Sequence, residues 1–194
     1  EPAFDDDSDF DLPRVTPPDD DELDLESAIE RFYEELDITG EERLTKEQML
    51  KIAEGEDDRS NIPKEFGPMH IYGTKLSMNI SMFTLDDQKQ LGPPELYGTR
   101  RFVDGKYLVE NSEFPKPEGG FDRGLNIFTL NPDKTRFVMH MLFQNELRGV
   151  WVSKTIKDNR VEWDGRMMIE QPNEAPFIMN VDLESNYSKE KDEH

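Results

Sequence analysis

A chain of 194 residues with 34% hydrophobic and 35% charged side chains carries a net charge of −21 and no cysteine. So negative a field repels phosphate backbones and anionic lipid, which makes nucleic acid and anionic membrane surfaces poor partners, and no nucleic acid partner is expected. The missing cysteines exclude disulfides, thiolate metal sites and a Cys nucleophile, and no apolar run approaches the ~18–20 residues of a membrane span, so no membrane insertion is expected.

The charge is uneven. Residues 1–58 hold 23 acidic and 5 basic side chains, while the remaining 136 residues hold 21 and 18. Cations and basic protein surfaces are the partners such an N-terminal third suits, and a solvated arm that keeps the protein soluble is the bland alternative. The chain opens at Glu1 rather than Met. A removed signal peptide accounts for that, as does trimming at another boundary, and an extracytoplasmic (periplasmic or secreted) bacterial protein is the expectation.

Residues 1–22 contain Asp5-Asp6-Asp7-Ser8-Asp9 and Pro17-Pro18-Asp19-Asp20-Asp21-Glu22. Like charges and prolines without an apolar period cannot bury enough surface to offset chain entropy, so a disordered acidic arm is expected. From residue 23 to 55 the pattern is a helical hairpin. Asp24 is a candidate N-cap, Ile29, Phe32, Tyr33 and Leu36 recur at helical spacing, and a second helix begins after Thr45 with Met49, Leu50, Ile52 and Ala53.

The twelve residues Asp37 to Gln48 between these helices resemble an EF-hand loop. That resemblance implies Asp37, Thr39, Glu41, the Arg43 carbonyl, Thr45 and Gln48 as calcium ligands. Glu42 stands where the sharp turn wants Gly, and Gln48 where a bidentate carboxylate is needed, so the loop is a degenerate one. Thr45-x-x-Gln48 also reads as a capping box, which needs no metal. No cofactor is established by this pattern, and calcium is the one it suggests. The apolar face of two such short helices needs a partner surface, so docking is expected over a barrel mouth or sheet edge in the C-terminal part of the chain.

Residues 56–68 read as a linker, 69–185 as a β domain and 186–194 as a polar tail. Strands are expected near 70–83, 96–103, 106–114, 122–130, 135–143, 147–155, 160–169 and 176–184, with turn signals such as Gly92-Pro93-Pro94, Asp104-Gly105 and Asn131-Pro132-Asp133-Lys134 between them. Asp104-Gly105 suits the positive φ of a tight hairpin turn, and Asp164-Gly165 reads as a bulge. The fold class is therefore mainly β: an antiparallel up-and-down barrel or half-barrel of about eight strands behind a short N-terminal helical hairpin.

Thr99-Arg100-Arg101-Phe102-Val103-Asp104-Gly105-Lys106-Tyr107-Leu108-Val109-Glu110 resembles a hairpin of an uncharacterised bacterial family of lipocalin-like, calycin-type domains. The resemblance covers roughly residues 66–170 and implies a lipocalin-like barrel. It brings no activity, substrate or catalytic residue.

No nucleophile elbow, P-loop or dinucleotide fingerprint occurs, and the histidines are only His70, His140 and His194. An enzyme is not expected. His140 sits in Phe137-Val138-Met139-His140-Met141-Leu142-Phe143, where alternation puts Phe137, Met139, Met141 and Phe143 on one face and Val138, His140 and Leu142 on the other. It is either an iron ligand in a barrel pocket or a core histidine bonded to a neighbour. The candidate ligand-lining set is Tyr97, Arg101, Tyr107, His140, Trp151 and Trp163, with Arg100 or Arg101 pairing a ligand carboxylate. Equally, large side chains could fill the interior. Two functions stand: a binding protein for a small apolar or amphipathic molecule, or an interaction protein whose acidic region engages a basic partner or weakly binds calcium.

Overall fold

The structure, a computed structural model, describes residues 24–70, 73–81, 89–91, 98–115, 119–170, 173 and 175–188. The acidic arm, Gly92-Pro93-Pro94, Tyr97 and residues 189–194 lie outside the described residues. Two helices, α1 (Leu25–Glu35) and α2 (Lys46–Ala53), precede nine strands: β1 (Gly73–Ser81), β2 (Lys89–Leu91), β3 (Gly98–Val103), β4 (Tyr107–Pro115), β5 (Phe121–Leu130), β6 (Phe137–Phe143), β7 (Glu146–Lys157), β8 (Arg160–Ile169) and β9 (Phe177–Ser188).

All strands join one antiparallel sheet in the order β2-β1-β9-β8-β7-β6-β5-β4-β3. Strands β3 to β9 follow one another as hairpins, and β1 returns to lie against β9, as the first strand of a closing barrel must. Among the described residues no ladder joins β2 to β3, so the wall is open there. The expected last strand, β9, runs on to Ser188, into the stretch read as a tail, because Leu183, Ser185 and Tyr187 continue the inward alternation.

The turns follow their residues. Asp104 and Gly105 have φ of 58° and 67°, though Val103 pairs with Tyr107, so the connection is three residues long rather than two. The two-residue turn of this kind is Gln144-Asn145, both with positive φ, between Phe143 and its partner Glu146. Asp164-Gly165 is no bulge: its register with Val152 and Trp151 is regular, and the irregularities fall at Met141/Leu142 and Ser153/Thr155. Gly165 is needed for another reason, since a Cβ there would collide with the Trp151 indole packed across it.

The two faces of the sheet bury different things. Phe102, Leu108, Phe128, Phe137, Met139, Trp151, Trp163 and Leu183 point inward into one core. One end of that core is closed by the two turns of Lys64–His70, whose Phe66 meets Phe102 and Phe137 at ring separations of 5.2 and 5.0 Å. Outward-facing Val138, Val150, Val152, Met168 and Ile178 receive Ile29, Phe32, Tyr33 and Leu36 of α1 and its exit. Val103, Val109, Ile127 and Leu142 receive Leu44, Met49 and Ile52. The helical hairpin thus covers the outer face of the sheet rather than a mouth or an edge. At roughly 1.5–3 kcal/mol for each large apolar side chain buried, this packing outweighs the cost of ordering two helices too short to stand alone.

The stretch read as a linker is also pinned down. Asp57 accepts the Phe102 N–H at 2.8 Å, Asp58 N–H donates to the Phe102 carbonyl at 2.8 Å, and Arg59 donates to the Arg100 carbonyl at 2.8 Å. These bonds occupy backbone groups on the free side of β3, the edge that would otherwise template another strand.

Candidate functional site

Two buried polar constellations stand out, one on each face of the sheet. The outer one forms where the hairpin lands. His140, on the outward register of β6, is 0% exposed; its Nε2 accepts the Leu44 N–H at 3.2 Å and lies 3.0 Å from the Tyr33 hydroxyl. The Leu44 amide can only donate, so Nε2 is bare and the ring proton resides on Nδ1, which is buried without a hydrogen-bond partner. Burial pushes the His140 pKa down to about 3 against the pull of the Glu42 charge, so the ring is neutral. Burial likewise pushes the Tyr33 hydroxyl up to about 12, opposed by the Leu44 backbone and by Arg43, whose guanidinium sits 4.5 Å from the ring centroid.

Beside this clasp, the loop between the helices closes around a side chain from the sheet. Arg136 donates to the Leu36 carbonyl at 3.3 Å, the Asp37 carbonyl at 2.8 Å and both oxygens of Glu42 at 3.2 and 3.0 Å. Burial raises the Glu42 pKa, but the hydrogen bonds from Arg136 and Thr39 and the Arg136 charge outweigh it and hold the carboxyl below its usual range. The cation held by the oxygens of this loop is therefore a guanidinium.

The six loop positions of the EF-hand resemblance have other partners or none. Thr39 donates to Glu42, Thr45 and Gln48 form a reciprocal capping box at 2.8 and 3.0 Å, and Arg43 donates to the Ile38 carbonyl. The Asp37 and Glu41 side chains are exposed. Among the described residues no group of three or more His, Asp or Glu side chains is gathered to hold a metal ion.

The inner constellation is a row across three strands. Arg100, Glu110 and Asn126 are register partners on β3, β4 and β5, two residues from inward-facing Phe102, Leu108 and Phe128, and they are 8%, 4% and 4% exposed. Asn126 Nδ2 donates to Glu110 Oε1 at 3.3 Å, an acceptor that fixes which way the amide points, and Arg100 donates to the Met69 carbonyl of the closing turn at 3.0 Å. The next row toward the opposite end is Gly98, Ser112 and Gly124, so Ser112 has a glycine on either side. The Ser112 hydroxyl and Asn126 Oδ1 are buried without hydrogen-bond partners. Burial first, then the Glu110 charge, push the Tyr187 hydroxyl above its ordinary pKa, while Ser185 and Arg100 pull the other way; the phenol stays protonated.

The expected lining set is split by this geometry. Trp151 and Trp163 are on the inner face, but their N–H groups donate to the Val181 carbonyl and the Ser185 hydroxyl, both at 3.0 Å, so they are fixtures of the core. Arg101, Tyr107 and His140 are not in the interior: strand alternation turns them outward, Arg101 to the Gly55 carbonyl, Tyr107 beside α2 and His140 beneath α1. Tyr97 lies outside the described residues. Of the two arginines offered to a ligand carboxylate, Arg100 is the inward one. Glu110, Ser112 and Asn126 were missed, although two-residue alternation from Leu108 and Phe128 could have found them.

Two surface hollows lie among the described residues. A cleft of about 270 Å³ at the closed end is lined by Phe66, Met69, Val161 and Tyr187 beneath Lys157 and Arg160, and a groove of about 340 Å³ runs between α2 and Tyr107. No helix among the described residues is long and apolar enough to cross a membrane.

No protein-family model and no curated protein matches the chain. Among solved structures, lobster apocrustacyanin A1 aligns at a TM-score of 0.34 and 12% identity, covering 70% of this chain and 67% of that one. Apocrustacyanin C2 gives the same values. Likeness at this level adds nothing to the strand order, which by itself makes the protein an antiparallel up-and-down β structure in one unclosed sheet.

Proposed function

We propose that this is a non-enzymatic binding protein that holds a small amphipathic molecule against the inner face of its sheet. The observation that supports this reading is the pair of buried, unpartnered polar atoms, Ser112 Oγ and Asn126 Oδ1, in adjacent rows of the inner face, with Ser112 between Gly98 and Gly124. A buried hydrogen-bonding group left unmade costs about 1–3 kcal/mol, so a fold that keeps two of them beside side-chain-free positions has a use for a partner there. The aromatic end around Phe66, Phe137 and Trp163 is buried and serves as the floor.

Native mass spectrometry of the untreated protein tests the reading. An organic adduct that disappears on solvent extraction, and fails to reappear in Asn126→Leu, is the expected result. A bare protein mass, with tryptophan fluorescence unmoved by a series of ten-carbon amphiphiles, overturns it.

A further inference from the structure

The inner row also specifies the head group of the ligand, an inference that rests on the binding reading above. Arg100 and Glu110 face one another at a single register position, so the row carries one positive and one negative charge. Among the described residues of this row the two charges balance, so a charged head group adds a further ion to a buried row, which is expensive. A carboxylate meets Glu110, and an ammonium meets Arg100. Asn126 turns its amide donor to Glu110 and keeps Oδ1 as its unpartnered acceptor, while the Ser112 hydroxyl can donate or accept. What fits Ser112 Oγ and Asn126 Oδ1 together without adding charge is a group that is at once donor and acceptor.

We infer that the site takes a neutral, hydroxyl-bearing amphiphile, its hydroxyl donating to Asn126 Oδ1 and accepting from Ser112. This replaces the carboxylate ligand expected from the arginine alone, because the sequence did not show Glu110 opposite Arg100.

Three probes of equal chain length, 1-decanol, decanoate and decylamine, are titrated below their micelle concentrations at pH 7. Trp151 and Trp163 fluorescence and retained mass serve as readouts. The inference expects the alcohol to bind about tenfold or more tighter than either ion, and Ser112→Ala to lower its affinity several-fold. Glu110→Gln removes the negative charge of the row, so its preference should move to decanoate. If Asn126→Leu fails to fold, these two milder variants still decide the matter. Decanoate or decylamine preferred by the wild type overturns the head-group inference and leaves a binding protein standing. No binding of any probe overturns both, and an unchanged preference in Glu110→Gln shows that the row does not select the head group.

Discussion

The inner and outer faces of this one sheet each bury a cluster of polar groups, and the clusters are finished differently. Under the helical hairpin, the Arg136 guanidinium, the Glu42 carboxylate and two backbone carbonyls satisfy one another, and His140 Nε2 takes the Leu44 amide. The orphan identified there is His140 Nδ1. On the inner face, Ser112 and Asn126 keep unmade bonds although Glu110 and Arg100 lie in the same or the adjacent row. The outer cluster is closed by its own chain except at His140 Nδ1, whereas the inner one keeps two open atoms beside glycines, which is what supports the proposed guest there. The same alternation that sends His140 outward sends Asn126 inward, so a single residue of register separates the two roles.

The largest expected effect breaks the outer cluster. Arg136→Ala leaves Glu42 buried and uncompensated and strands the Leu36 and Asp37 carbonyls, so a loss of about 3 kcal/mol or more is expected in urea unfolding at pH 7. An Arg136→Ala midpoint within error of wild type would show that the hairpin does not depend on this contact.

Acid should weaken the same face through His140. The unfolded chain takes up this proton below about 6.5 and the folded chain only near 3, so stability present above 6.5 declines as the pH falls between those values, by about 1.4 kcal/mol per unit. Glu35 and Glu42, also depressed, act in the same direction but only below their ordinary value of 4.5. Urea midpoints of His140→Gln should therefore stay nearly level between pH 6.5 and 4.5 while those of the wild type drop. A level wild-type profile would contradict a buried neutral ring.

A smaller effect lies on the inner face, at Gly165→Ala, where the new methyl meets the Trp151 ring. Overpacking of that kind costs about 1–3 kcal/mol and should red-shift Trp151 emission as the indole is displaced. The smallest effect sharpens the contrast. Ser112→Ala removes an orphaned hydroxyl, so the ligand-free protein should be unchanged or stabilised by up to about 1 kcal/mol, whereas any substitution that opens the outer cluster destabilises it. Thermal unfolding with and without 1-decanol checks both halves, since the alcohol should stabilise the wild type more than the variant.

Local chemistry carried much of the architecture. Asp24 caps α1, Thr45 and Gln48 box the start of α2, and Asn131 ties its own turn through the Thr135 and Arg136 amides, because each of these bonds spans five residues or fewer. The split of Phe137 to Phe143 into two faces also follows from strand period alone. The candidate site was less legible. Arg101, Tyr107 and His140 look like ligand-lining residues by type, but type does not say which face is concave. The Asp37–Gln48 loop looks like a cation site by spacing, yet the cation it holds comes from Arg136, 94 residues from Glu42.

Amino-acid order by itself therefore determined the elements, their turns and their alternation, since these rest on contacts a few residues long. Tertiary structure decided which face became the interior, that the hairpin would lie on the other, and that Arg100, Glu110 and Asn126 would share one row. Those are matters of register between strands and of which apolar surface covers which. Such pairings are settled by the packing of the whole sheet, where moving a strand by one residue exchanges inside for outside.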